Sequence, residues 1–489
     1  MQANKSTTSL SRDVLAYVPI KLIPAITGLL SIFILTRSLM PTEYARYSTA
    51  ITTTLLLVQL AGAWLSSSIL YIYSDFLDTN SQSNFRRQTI NLQAVVSIPV
   101  AIIAYITIYL VTQIHALALV SAVLILSQLM HGLLMTFLQS SRKIYAQAVS
   151  VALQCATQLS VLCVLVLYAN GKEAASVSAV AIGLIVGTLS LYIANGGMTF
   201  HKMTDGYFVS REIFMKMIRY GMPVSLWFFA TQFYVISDRI LLQFLGYESE
   251  LGKYASFRDL ATGCASFLTM PLVMASHPII MSKWKNKENP KEIEKILSNN
   301  MLYLMMIFAP ILVMTDITGG YFIEEIFGEQ YVLPATVMVL VVTSIFLGSI
   351  AIHLQKGLEV TGKTMLMAKI SVGTAIFSGI VNILVVPAFG VLGGAAVVVL
   401  SSILYMMLIS MFTRKILSPR IPVKILLKTV SWFLTIEIGL HFFQNMLTRN
   451  FDGFYVALIN IAAILASTLI FYSMDKTIRR FVLLKLNFR

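Results

Sequence analysis

Charge is what this chain has least of. Only 12% of its 489 residues are Asp, Glu, Lys or Arg, against about a quarter in an ordinary soluble domain, while 57% are hydrophobic and mean hydropathy is +0.79. That excludes a soluble globular protein and points to one that crosses a membrane many times. Cysteine is nearly absent too. Cys155, Cys163 and Cys264 all lie in apolar runs, and the first two stand eight residues, about 12 Å, apart along one helix, out of disulfide reach. No phosphate-cradling glycine loop ending in Gly-Lys-Ser/Thr occurs, so ATP hydrolysis by this chain is not expected. Nor does any Cys/His cluster have metal-ligand spacing, and no loop is long enough to house a soluble catalytic domain. Catalytic residues, cofactors and metal ligands are therefore not expected. The first apolar run is too long for a signal-peptide core, so it is expected to be retained.

Long apolar runs are what remain. Fourteen of them, from Val14–Thr36 to Phe454–Ser473, approach or exceed the roughly 20 residues a helix needs to cross a ~30 Å hydrocarbon core. The ninth, Met301–Thr315, is the shortest. An even number of spans puts both termini on one side. Most of the 36 lysines and arginines fall in the termini and loops of that side, whereas the opposite side carries Arg37, Arg46, Lys172, Lys253, Arg258 and Arg449. By the positive-inside rule both termini are expected to be cytoplasmic, and the net charge of +14 is topology rather than a nucleic-acid surface. The segment Lys287–Lys295 reads as a short interfacial helix, and the basic tail Lys476–Arg489 as a segment resting on anionic membrane lipid.

The opening span recurs. Tyr17, Pro19 and Arg37 have counterparts in Tyr220, Pro223 and Arg239, and the hinge Pro41–Tyr47 has a longer counterpart in Gly246–Tyr254, at offsets of about 202 to 207 residues. A six-span unit thus occurs twice in the same orientation, an arrangement found in alternating-access transporters. The fold expected is all-α: about fourteen transmembrane helices in two six-helix lobes, residues 1–197 and 198–413, related by a parallel pseudo-two-fold, with two further helices and the tail in 414–489.

Ionisable groups inside the hydrocarbon cost about 2.5 to 3.5 kcal/mol each unless paired or wetted, so their positions mark cavities or clamps. Lys21 lies in the first span, where Pro24, Gly28 and Ser31 extend a small polar face; it either meets an anion or snorkels to the headgroups. On the seventh span Ser225, Gln232 and Arg239 repeat every seven residues beside Asp238, a pattern that suits a structural clamp as well as substrate contact. Gln128, His131 and Gln139 on the fourth span, and Gln147, Ser150, Gln154 and Gln158 on the fifth, read first as interhelical hydrogen bonds. Glu437 stands in the thirteenth span with no basic neighbour at helical spacing.

The hinge Leu35-Thr-Arg37-Ser-Leu39-Met-Pro41-Thr-Glu43-Tyr44-Ala-Arg46-Tyr47 resembles the signature of the polysaccharide-transport branch (Wzx-type) of the multidrug/oligosaccharidyl-lipid/polysaccharide exporter superfamily, with Ala45 where the branch usually has glycine. Asp238-Arg239 with Gly246, Gly252 and Tyr254, and Phe389–Ala396 before the twelfth span, resemble its second-lobe features. The resemblance implies a flippase of the bacterial inner membrane that carries undecaprenyl-diphosphate-linked oligosaccharide to the periplasmic leaflet for O-antigen, capsule or exopolysaccharide assembly. It also implies a central cavity lined by the first, second, seventh and eighth spans, which is expected to carry an excess of lysine and arginine and to work by alternating access. Membrane lipids, the polysaccharide polymerase and the chain-length machinery are the partners implied, and nucleic acid is not. Lys21, Arg37 and Arg239 are the expected contacts of the anionic head group, with Asp238, Gln59 and Arg258 as further substrate-binding candidates. Two alternatives stay open: an ion-coupled exporter of small amphipathic cations or other small molecules, which an acid-rich cavity would favour, and a membrane polymerase or ligase, which would need a sizeable polar loop.

Overall fold

The computed structural model describes residues 2–76, 79–194, 209–450 and 453–474. The expected lipid-resting tail Lys476–Arg489, and most of the polar stretch from Asn195 towards Arg219, lie outside the described residues. Among the described residues there is no β-strand.

The helices follow the apolar runs. They are α1 (Gln2–Ser38), α2 (Pro41–Ala61), α3 (Ala63–Ile72), α4 (Thr79–Thr112), α5 (His115–Ser140), α6 (Ile144–Leu162), α7 (Glu173–Ala194), α8 (Arg211–Phe244), α9 (Glu248–Lys285), α10 (Pro290–Phe327), α11 (Ala335–Leu354), α12 (Lys356–Val360), α13 (Thr364–Thr413), α14 (Val423–Asn450) and α15 (Gly453–Met474). Ten of these stretches are long and apolar enough to span a membrane, and α2 with α3, bent by 41°, makes an eleventh. The helices α8 and α14, 34 and 28 residues long, have the length but carry more polar residues. At 50 residues α13 would be about 75 Å long, more than twice the hydrocarbon thickness. Gly390, at φ 54° and ψ −136°, breaks it into two spans, a backbone conformation glycine adopts without steric cost. The fourteen expected spans are thus all helical.

At the hinge α1 ends at Ser38 and Pro41 opens α2 as a first-turn proline, with the Glu43 carboxylate accepting the Met40 N–H at 3.0 Å. One expectation changes in detail. Lys287–Lys295 is not a separate interfacial helix. Lys287 has a left-handed backbone, Asn289 caps α10 by accepting the Lys291 N–H, and the charges from Pro290 onward form the first turns of α10, which continues past its apolar run to Phe327.

Helix packing divides the chain into two units: Met1–Phe267 with Gly362–Ser401, and Leu268–Thr361 with Ser402–Arg489. In the first, small residues let helices approach closely, as membrane packing requires where apolar burial gives little net drive. Ala50, Ala118 and Ala181 share one core cluster, and the Ser150 hydroxyl donates to the Gly187 carbonyl at 2.9 Å while Gln147 donates to the Met135 carbonyl. Those two members of the fifth-span polar stripe are therefore interhelical glue. In the second unit Leu302, Met305, Phe433, Ile464 and Phe471 join α10, α14 and α15, and the Tyr472 hydroxyl reaches the Met306 carbonyl. Outward stripes such as Ile376, Ile380, Ile383 and Leu384 on α13 are each more than half exposed, the spacing of a lipid-facing helix surface.

Candidate functional site

Within the first unit, the hinge after α1 meets the start of the second repeat. Met40 and Pro41 turn the chain into α2, so its first two turns present Tyr44, Arg46, Ser48 and Thr49 to α8 and α9. The guanidinium of Arg46 donates from Nε and Nη2 to the two carboxylate oxygens of Glu248, at 3.2 and 2.7 Å, and lies 3.6 Å from Glu173. This two-pronged geometry is the strongest form of an arginine–carboxylate pair. Gln243 donates to the same Glu248 at 2.7 Å and accepts from Thr49 at 3.4 Å.

One turn deeper, Arg239 is 3% exposed. Its Nη1 donates to the Ser48 hydroxyl and its Nη2 to Asp259, both at 2.8 Å. Tyr44, fully buried, donates to the other oxygen of Asp259 at 3.1 Å. Beside it Asp238, also fully buried, accepts from Tyr254 at 2.6 Å and from Arg258 at 2.9 Å, and Arg258 further donates to the Val235 carbonyl. Two arginines and two aspartates are thus held in mutual compensation, the condition for burying charge at tolerable cost.

Close backbone approach accompanies the polar bonds. A Cβ added to Gly252 would lie 1.7 Å from the Pro41 carbonyl oxygen, so α9 touches the hinge directly. At the far end of the same seam, a Cβ on Gly221 would lie 2.1 Å from the Trp64 carbonyl oxygen. There Ser68 donates to the Met217 carbonyl, Tyr71 stacks on Tyr220 at 4.2 Å, and Lys216 pairs with Asp75. The pair α2–α3 is therefore seamed to α8 along its length, and to α9 at the hinge.

The expected substrate-binding residues fall into two groups. Arg239, Asp238 and Arg258 come together in the buried clamp, each engaged by protein partners. Gln59 is half-buried in the seam, where its carbonyl accepts from the Ser225 hydroxyl at 2.6 Å. Lys21 and Arg37 are exposed on α1; Lys21 makes no ion pair with any described residue, and the Arg37 guanidinium lies 5.8 Å from the Phe33 ring centre. At 1.5 Å per residue these two cations stand about 24 Å apart along the helix axis, too far to grip one diphosphate together. The cations of the hinge end do not stand in excess: Arg46, Lys172, Arg239 and Arg258 each face an acid.

Asp259, Ser48 and Gln243 were not singled out by sequence. The signal for Asp259 was there, an acid beside Arg258 at the mouth of an apolar run. Glu437 is not isolated either: His441 lies one helical turn on, and the Asp316 carboxylate of α10 accepts from its Nε2 at 2.7 Å. Among the described residues, Asp316, Glu437 and His441 are the three side chains whose ligand atoms, within 4.8 Å of one another, could share a cation.

A family described as polysaccharide biosynthesis protein matches residues 10–284, more than half of the chain and the whole of the hinge and clamp. The probable low-salt glycan biosynthesis flippase Agl15 of Haloferax volcanii is 25% identical over 125 residues, a match that spans 25% of this chain and 26% of that protein. Among solved structures, the lipid II flippase MurJ in an inward closed conformation superposes with a TM-score of 0.70 at 14% identity, over 94% of this chain and 98% of that one. An inward-facing multidrug resistance MATE family transporter of the MOP superfamily gives 0.55 at 13% identity over 80% and 94%, and the eukaryotic MATE transporter AtDTX14 gives 0.54 at 14% over 82% and 96%. At such identities the likeness is one of fold.

Proposed function

Because this chain belongs to the polysaccharide biosynthesis protein family, we propose that it is a flippase that carries a lipid-linked oligosaccharide from one membrane leaflet to the other. The substrate proposed is an undecaprenyl-diphosphate-linked repeat unit, moved from the cytoplasmic to the periplasmic leaflet of a bacterial inner membrane with both termini cytoplasmic. No covalent bond changes in this reading. The names of its relatives, flippases and transporters, support it at that level.

The observation that carries the mechanism is the buried clamp between the hinge and α8–α9. Arg46–Glu248, Arg239–Ser48 and Tyr44–Asp259 each join a residue of the first repeat to one of the second. With these bonds made, the repeats are held together at the hinge end, and release of sugars on that side requires them to part. Such a bistable element is what alternating access needs. Arg239, Asp238 and Arg258 act in this reading through the clamp. The head-group contact assigned to α1 is Lys21, an exposed cation in a membrane span, where a phosphate would offset its desolvation.

The test is made in cells lacking the protein, complemented with wild type, Lys21→Ala or Lys21→Arg, with lipid-linked oligosaccharide quantified and its sidedness read by an impermeant sugar probe. Cells without the protein should accumulate the lipid-linked sugar on the cytoplasmic face; normal arrival at the outer face would overturn the flippase reading. Lys21→Ala at normal protein level should lower the outward fraction by about tenfold, and Lys21→Arg should retain most of it. Unchanged transport in Lys21→Ala would remove that residue from the site.

A further inference from the structure

Inside the second unit, the end of α13 and the loop to α14 enclose a cavity of about 350 Å³ that plays no part in the clamp. Its walls include Ser410, Thr413, Arg414, Ser418 and Arg420, with Leu354 at the end of α11 as an apolar side. Volume and lining suit a small polar ligand. The two guanidiniums are exposed and make no ion pair with any described residue, and no Asp or Glu occurs anywhere from Val360 to Ile436. The acid from another helix that reaches this loop, Glu294, is occupied: it accepts the Ser418 N–H at 2.7 Å and the Ser418 hydroxyl at 3.3 Å. The Arg420 N–H is taken by Ser298. The loop is thereby held in place while its arginine side chains are left for something else.

A second, independent observation concerns Thr413. It is 2% exposed, a Cβ on Gly357 of α12 would meet its methyl group at 2.4 Å, and its hydroxyl has no hydrogen-bond partner. In a membrane helix a threonine hydroxyl ordinarily returns to the carbonyl four residues back, so a buried, unpaired one is costly. Two arginine forks with several hydroxyls form the donor set that recognises the oxygens of a phosphate.

We propose that this cavity binds a phosphate group, with Arg414 and Arg420 as its charged clamps and Ser410 and Thr413 as neutral donors. Its place beside the basic stretch Arg414–Lys428, on the side expected to face the cytoplasm, fits the phosphodiester of an anionic lipid headgroup in that leaflet. A free phosphate would present the same oxygens.

The experiment is native mass spectrometry on the purified, delipidated full chain, titrated with phosphatidylglycerol, with phosphatidylcholine and with inorganic phosphate. Wild type should retain phosphatidylglycerol. The pair Arg414→Gln/Arg420→Gln should weaken that binding by about tenfold or more, and Thr413→Val by less. The pair Lys424→Gln/Lys428→Gln, which removes the same charge from the same stretch but lies outside the cavity lining, should leave it unchanged. Displacement of the lipid by millimolar inorganic phosphate would assign the site to the phosphate alone; resistance to it would assign the whole headgroup. Equal losses in the arginine and lysine pairs would reduce the effect to surface charge and overturn the proposal. So would retention of phosphatidylglycerol by the arginine pair, with an unchanged unfolding temperature showing that the variant is folded.

Discussion

Asp238 shows how much can depend on one side chain. Its carboxylate is fully buried and neutralises Arg258, itself 3% exposed, while accepting the Tyr254 hydroxyl. Removing one member of such a pair leaves the other charge buried without compensation, which typically costs about 3 to 5 kcal/mol. Asp238→Ala is therefore expected to lower the unfolding temperature in detergent sharply. Lys172→Ala, which breaks a pair whose lysine is 72% exposed, should change it little. Similar losses in the two would mean that the buried pair is not what holds α8 to α9. Asp238 and Arg239 stand out in the sequence as charges where lipid would not tolerate them, because that follows from hydropathy alone, whereas Arg258 counts there only as a cation of the loop side. Helical spacing does not name the partner of Asp238. The answer, Arg258 twenty residues on, depends on how two helices face each other, as does the choice of Asp259 for Arg239.

At the scale of elements, α2–α3 is joined to α8 and α9 by shape as well as by charge. Gly252 of α9 and Gly221 of α8 mark the two ends of that seam, and a side chain at either would collide with backbone that cannot move aside as a side-chain tip can. Gly252→Val and Gly221→Val should each force the helices apart and abolish transport. Gly348→Ala, on α11 where nothing lies within 4 Å of an added Cβ, should be close to neutral. If Gly252→Val transports normally, the close approach is dispensable. The helices themselves were largely legible, since a span is set by apolar length. The break at Gly390 was legible as well, since it falls between the eleventh and twelfth expected spans. The bend between α2 and α3 and the extension of α10 to Phe327 were not, because apolar length encodes neither where a helix bends nor how far it runs past its apolar stretch.

For the whole molecule, the proposed cycle makes the hinge clamp a gate that must open once per turnover. In a background with the three native cysteines replaced, Arg46→Cys/Glu248→Cys joined by a short bifunctional thiol reagent should arrest transport, and cleavage of a reducible linker should restore what activity the unbridged pair has. Transport that continues through the bridged protein would show that this end does not open, and alternating access through it would fall.

The sequence by itself determined that the chain is a membrane protein, where its helices lie, that its first half returns in its second, and through the hinge which family it resembles. These depend on composition, run length and local pattern, which a linear chain displays. The tertiary structure alone decided the pairings. Arg46 with Glu248, Arg239 with Asp259, and the grouping of Asp316 with His441 and Glu437 each bring together residues from different helices, and nothing in local spacing encodes which face one helix turns to another. Arg37 and Arg239, counterparts in the repeat, make the point most directly: one is exposed at the end of α1 and the other is locked inside the clamp, because the two copies of one pattern are packed against different neighbours.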